Sequence, residues 1–171
     1  MKQELSPPEL FLRELLIEVR NSNIHGKGIY AKNNIKKGTK VIEYIGEIIS
    51  KKEGDKKAEI QYKLSKENNI KGAVYVFELN DKQDIDGNVE DNIARFINHS
   101  CNPNCTYKIE NSHIWIVSIR EIKKGEEITY DYGYDIEDYK DHPCKCGSLN
   151  CIGYIIGNEY RDEFKKTISE L

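Results

Sequence analysis

The chain has 171 residues, 38% hydrophobic and 32% charged, with 26 lysines and arginines against 29 aspartates and glutamates, for a formal charge of −3. That balance gives no basis for a phosphate-tracking nucleic-acid binder and makes a basic protein segment the more natural partner. No run approaches the ~18 apolar residues of a membrane span, and the N-terminus lacks an apolar signal core, so the expectation is one soluble, intracellular domain.

Ser6-Pro7-Pro8-Glu9 is a capping box with proline in the first turn, which predicts a short helix over about residues 7–15. Ile17–Arg20 reads as a strand, and residues 21–28 as a loop with two glycines. Ile29–Ala31 and Val41–Ile45 read as strands of a small sheet. Residues 50–72 are lysine-rich with weak periodicity and read as an exposed helix-and-loop insert. Ala73–Leu79 reads as a strand, and Asp84-Ile85-Asp86-Gly87-Asn88 as a turn. Residues 91–97 suit one or two helical turns. Tyr107–Ile109 and Ile114–Ile119 form a hairpin across residues 110–113. Ile128-Thr-Tyr-Asp-Tyr-Gly-Tyr134 reads as a strand in which Tyr130, Tyr132 and Tyr134 share one face. Residues 156–171 read as an exposed, helical tail. Ile35-Lys-Lys-Gly38 recurs as Ile122-Lys-Lys-Gly125, which suggests two similar turn-to-strand units. Many short strands and few helices make the fold mostly β (α+β), built of small β-sheets.

Five cysteines fall in two tight clusters, Cys101 with Cys105 and Cys144 with Cys146 and Cys151. An odd, clustered set reads as metal ligands rather than disulfides. Cys144-Lys-Cys146-Gly-Ser-Leu-Asn-Cys151 can converge on one ion through a turn at Gly147. Zinc wants a fourth N or S ligand, for which Cys101, Cys105 and His142 are available. Arg95-Phe-Ile-Asn-His-Ser-Cys-Asn-Pro-Asn-Cys105 suits either a helix end with an Asn-Pro turn or a grip on a polar small molecule. His25-Gly-Lys-Gly28 suits a plain turn or close approach of backbone to a ligand, and it lacks the spacing of a phosphate loop.

Together these residues resemble the SET-domain protein lysine methyltransferases. The run Arg95–Asn104 resembles the family signature, Gly26–Tyr30 its cofactor loop, Glu43–Glu47 its following strand, Gly125–Gly133 its C-terminal motif and Pro143–Tyr154 its post-SET zinc module. Asp91 stands where the family usually has glycine. The resemblance implies a SET fold with a pseudoknot, short helices and a C-terminal zinc-binding segment. It divides the chain into an N-terminal helical extension (1–16), a SET domain (17–135), a post-SET module (140–156) and a tail (157–171).

The resemblance further implies S-adenosyl-L-methionine as cofactor and one structural zinc ion. Lys27, Gly28 and Tyr30 would lie against the methionine part of the cofactor. Asn98 and His99 would hold its two ends, Arg95 would support that pocket, and Tyr154 would cover the adenine. Cys101 would join Cys144, Cys146 and Cys151 on the zinc, leaving Cys105 spare. Tyr132 is expected at the point of transfer, with Tyr44 across the channel. Tyr130 occupies a position that the family fills with phenylalanine or tyrosine. Tyrosine there implies mainly monomethylation, at most dimethylation, of a lysine in a basic protein segment, with a histone tail as first candidate. The expected location is the nucleus or chromatin for a eukaryotic protein or one acting on a eukaryotic host, and the cytoplasm otherwise. The competing reading is a catalytically idle SET fold that binds peptides.

Overall fold

The computed structural model describes residue 3 and residues 7–67, 74–137 and 139–169, except for the side chains of residues 9, 12, 65 and 66. Two parts of the capping box, Ser6 and the Glu9 side chain, are therefore outside the described residues, as are residues 68–73, which include the first residue of the strand expected after the insert. The helix that the box announces is present as α1 (Pro7–Leu16).

Strands β1 (Ile17–Asn21), β2 (Lys27–Ala31), β3 (Lys40–Tyr44) and β4 (Glu47–Ser50) lead into helix α2 (Lys51–Glu67). Then come β5 (Val76–Asn80), β6 (Gln83–Asp86), a 3-10 turn at Ile93–Phe96, β7 (Asn98–His99), β8 (Cys105–Glu110), β9 (His113–Ser118), β10 (Glu127–Tyr130) and, after two further 3-10 turns, helix α3 (Arg161–Ser169). The strands form three small sheets, ordered β1-β2-β10-β7, β3-β9-β8 and β4-β6-β5. Isoleucine fills the shared core: Ile29, Ile35, Ile85, Ile114, Ile116, Ile122 and Ile128 are all essentially inaccessible. A branched Cβ suits pleated, half-buried surfaces, and removing so many such side chains from water drives the small sheets together.

The sequence repeat is a structural pair. Ile35 and Ile122 exchange both backbone hydrogen bonds, N–H to O at 2.8 and 2.9 Å. Gly38 and Gly125 close their turns at φ +83° and +86°, a region open to glycine without strain. The hairpin of β8 and β9 turns through Asn111 and Ser112, both with positive φ, as a two-residue loop matched to strand twist requires.

Three expectations are corrected. Residues 84–88 are not a turn. Asp84 and Asp86 lie in β6 and are buried, and the chain reverses earlier, where the Asn80 side chain accepts N–H bonds from Lys82 and Gln83. Their carboxylates are tolerated there because Lys51 and Lys57 of α2 reach them at 2.8 and 2.6 Å. The tyrosine strand ends at Tyr130, because the Tyr132 N–H turns to the His99 ring and Gly133 takes φ +72°. The tail is not simply exposed, since Ile156, Arg161 and Phe164 are buried.

Parallel pairing of β7 with β10 sets Asn98 opposite Thr129 and His99 opposite Tyr130. The whole β8–β9 hairpin lies between those two strands in sequence, so this pairing joins segments that the hairpin separates.

Candidate active site

Because β10 sits between β2 and β7, the glycine loop and the Asn-His pair face each other across it. Glu127, at the start of β10, joins them. Its carboxylate accepts from Ser22 Oγ at 2.7 Å, Tyr30 Oη at 2.8 Å and Asn98 Nδ2 at 2.7 Å. Asn98 Nδ2 also reaches the carbonyls of Lys27 at 3.0 Å and His25 at 3.3 Å. A Cβ at Gly28 would lie 2.3 Å from a Glu127 oxygen, so any side chain there would have to displace the Glu127 carboxylate. The Lys27 ammonium rests 5.1 Å from the centre of the Phe96 ring. The loop thus offers bare backbone beside an Asn-Glu-Tyr hydrogen-bond cluster. Sequence reasoning gave Ser22 and Glu127 no part in it.

His99 is 2% exposed. Burial pushes its pKa down to about 4 despite the opposing pull of Asp131, so the imidazole is neutral near pH 7. Its Nδ1 accepts the Tyr132 N–H at 3.2 Å, which assigns the proton to Nε2, 3.7 Å from Cys101 Sγ. One ring therefore links the tyrosine segment to the cysteine cluster.

Tyr44, Tyr130, Tyr132 and Tyr134 line one cavity of about 390 Å³. Their rings stand in a row, Tyr130 to Tyr132 at 5.0 Å and Tyr132 to Tyr134 at 5.7 Å. Tyr132 Oη donates to the Ile97 carbonyl and Tyr44 Oη to the Tyr75 carbonyl, at 2.9 and 2.8 Å. Tyr130 and Tyr134 make no hydroxyl hydrogen bond to any described residue, so both are free to meet a guest. Burial, reinforced for the first three by neighbouring phenols, raises all four pKa values and keeps the wall uncharged. The opposite wall comes from the edge strands β5 and β8, through Phe77 and Tyr107, whose rings meet edge-on at 5.0 Å. Sequence reasoning missed Tyr75, Phe77, Tyr107, Glu159 and Tyr160 in this lining.

Arg95 lies in the cavity wall. Its Nη1 donates to the Val89 carbonyl at 2.9 Å, and the guanidinium sits over Phe96 and Tyr75. Asp91 is absent from the positive-φ residues, so the turn before Arg95 does not need the family's glycine.

The sulfurs of Cys101, Cys144, Cys146 and Cys151 all lie within 4.8 Å of one another. Cys101 Sγ is 3.8 Å from that of Cys144 and 3.9 Å from that of Cys151. A tetrahedron with the ~2.3 Å arms of a zinc–thiolate site has edges of ~3.8 Å, so these residues fit zinc. Burial first, and then the neighbouring thiols, push Cys101 up to about 11, while, against its burial, hydrogen bonds from Ser148 and the Cys101 N–H hold Cys146 down at about 6. Cys105 lies outside the cluster, buried, with its thiol pushed up to about 12. His142 is not among the ligands; its ring meets those of Tyr62 and Tyr134. Tyr154 packs edge-on against Tyr139 and Phe164 at 4.8 and 5.8 Å, with its carbonyl 3.9 Å from Cys101 Sγ.

Residues 26–133 match the SET domain family. Over 144 residues the chain is 42% identical to "Histone-lysine N-methyltransferase trithorax" of Drosophila virilis, covering 81% of this chain and 4% of that protein. It is 39% identical over 140 residues to "Histone-lysine N-methyltransferase 2D" of Homo sapiens (79% and 2%). It is 40% identical over 153 residues to "Histone-lysine N-methyltransferase, H3 lysine-4 specific" of Aspergillus oryzae (86% and 12%). The chain thus spans only a small part of each of these relatives. With the family signature, the glycine loop and the tyrosine cavity assembled around one crossing, the chain belongs to the SET-domain family.

Proposed function

We propose that the chain is an S-adenosyl-L-methionine-dependent protein-lysine N-methyltransferase that acts on a histone tail and stops mainly at the monomethyl, at most the dimethyl, product. The observation that carries this reading is the uncharged, tyrosine-walled cavity at Tyr132, whose hydroxyl is tied to the segment bearing Asn98 and His99. Histone-directed relatives support the substrate class, and a histone substrate would put its work on chromatin.

The cofactor site would be built from Lys27, Gly28, Tyr30, Asn98 and His99, with Arg95 behind it and Tyr154 over one end. The Cβ side of Gly28 is filled by Glu127 and Ser22, so a polar ligand would meet this loop along its backbone, beside the segment that Asn98 holds through the Lys27 carbonyl. When bound, S-adenosyl-L-methionine supplies a methyl group on a positively charged sulfur. The chain's own residues do the rest. A free lysine, with a pKa near ~10.4, is mostly protonated at neutral pH and has no lone pair to offer. Phe77, Tyr107 and the tyrosine row would strip water from its stem and favour the neutral amine. The Tyr130 and Tyr134 hydroxyls can accept or donate to that amine without introducing charge. Tyr132 would fix the approach at the transfer point and Tyr44 would brace the far wall, so that amine and methyl meet in line. A phenol at position 130 leaves little room for a second or third methyl.

The zinc ion would be structural, because four thiolates leave no open coordination position. It would hold the segment after Gly133 against the Cys101 loop.

The test is transfer of labelled methyl from S-adenosyl-L-methionine to histone H3 and to lysine peptides, with mass spectrometry of the product. Wild-type protein should give monomethyl-lysine, and Asn98→Ala should give almost none. Binding of a histone peptide without any transfer would favour the idle peptide-binding fold instead.

A further inference from the structure

Residues 157–164 lie beyond residue 133, where the family match ends, yet Glu159 and Tyr160 among them line the cavity. Gly157 donates its N–H to the Tyr134 carbonyl at 2.7 Å, and a Cβ there would come within 2.9 Å of Gly133 Cα, so the two backbones touch. Buried Arg161 locks this contact. Its guanidinium donates to the Cys101 carbonyl at 2.8 Å, to the Ile156 carbonyl at 3.3 Å and to Asp131 at 3.3 Å. Asp131 in turn accepts the Asn158 N–H at 2.9 Å. A buried arginine with three partners fixes its segment far more firmly than an exposed tail would be held. The seat presents Tyr160 and the Glu159 carboxylate to the cavity beside Gly133, the residue after Tyr132.

Of the charged groups in the lining, Glu78 is paired with Lys51 at 2.8 Å, and the Arg95 guanidinium is turned to the Val89 carbonyl. Glu159 is exposed and has no ion pair with a described residue. A carboxylate held at the cavity wall without a counter-ion attracts positive charge. Resting on the proposed lysine-methyltransferase reading, we infer that Glu159 reads a second positive charge in the substrate, an arginine or lysine beside the target lysine, so that the C-terminal tail sets sequence preference.

Calorimetry with two synthetic lysine peptides tests this. They differ only in carrying arginine or glutamine at the positions flanking the target lysine. At low salt the wild type should bind the arginine peptide about threefold to fivefold tighter, the range of one exposed ion pair. The difference should shrink as the screening length falls from ~30 Å at 0.01 M to ~8 Å at 0.15 M. Glu159→Gln should abolish the preference and Glu159→Lys reverse it, with melting temperatures near wild type because residue 159 is exposed. A wild type without preference, or a Glu159→Gln variant that keeps it, overturns the inference. Methyl transfer in the same samples judges the enzyme reading separately: preferential binding without transfer removes that reading and leaves the cation subsite standing.

Discussion

The Tyr132 hydroxyl donates to the main-chain carbonyl of Ile97 at 2.9 Å, which ties the tyrosine row to the residue just before Asn98 and His99. That bond fixes the phenol where the proposed transfer occurs. Tyr132→Phe should remove a net ~0.5–1.5 kcal/mol of stability, the usual worth of one such bond. Methyl transfer should fall far more, by ~10²-fold or greater, as when a positioned donor is deleted from an active site. Turnover and a thermal melt on the same preparation separate the two effects. A variant with wild-type turnover would rule Tyr132 out of the transfer point.

Tyr130 packs 5.0 Å from Tyr132, is 8% exposed and spends its hydroxyl on no described residue. Tyr130→Phe should therefore cost little stability while freeing the volume of one oxygen and one hydrogen-bonding group. Mass spectrometry of the product should shift from monomethyl toward dimethyl and trimethyl lysine. An unchanged product distribution would mean that another side chain sets the limit.

Burial raises the ionisation of Tyr44, Tyr130, Tyr132 and Tyr134 above that of a free phenol. The sign is that of a raised folded-state pKa: the native state holds these protons more tightly than the unfolded state does. The associated stability is present below pH ~10 and is lost as pH climbs beyond it. In an ultraviolet titration of the eleven tyrosines, at least four should stay protonated above pH ~10 and ionise only with unfolding. Smooth, complete titration of all eleven in still-folded protein would show that the cavity wall is wet.

Features carried by contiguous residues could be read directly from the sequence. The Cys-x-Cys-x₄-Cys spacing and the Asn98-His99 pair each announce themselves within a dozen residues, and the Ile-Lys-Lys-Gly turns announce themselves by repeating the same four residues. What was missed depends on chain crossings. Ser22 and Glu127 are 105 residues apart and meet only because β10 slots beside β2. Phe77 and Tyr107 look like ordinary strand aromatics until two sheet edges face each other. Asp84 and Asp86 have turn-like composition, and their burial is permitted only by Lys51 and Lys57, 33 and 29 residues upstream. Gly87 has the composition of a turn glycine, but a Cβ there would strike the Tyr44 ring at 2.3 Å, so its work is clearance for that ring. Arg161 had no signal at all, because its partners Cys101 and Asp131 come from two distant segments.

The four-cysteine cluster links these segments, so removal of the zinc ion proposed there should propagate. Cys101 contributes a sulfur to the cluster, its carbonyl to Arg161 and a contact to His99, whose ring holds the Tyr132 backbone. Chelation should therefore loosen the post-SET segment, the tail and the Tyr132–Tyr134 wall together, because metal-binding energy in such small sites is folding energy. Cys151→Ser should lower zinc content below one per chain, depress the melting temperature and reduce peptide binding as well as turnover. Cys105→Ala should leave zinc stoichiometric, because that thiol lies outside the cluster. Elemental analysis beside a melting curve distinguishes the variants. If chelated protein kept both its melting temperature and its peptide affinity, the four sulfurs would be a reduced thiol cluster with no structural metal, and the tail would owe its seat to Arg161 and the aromatic packing of Tyr139, Tyr154 and Phe164 alone.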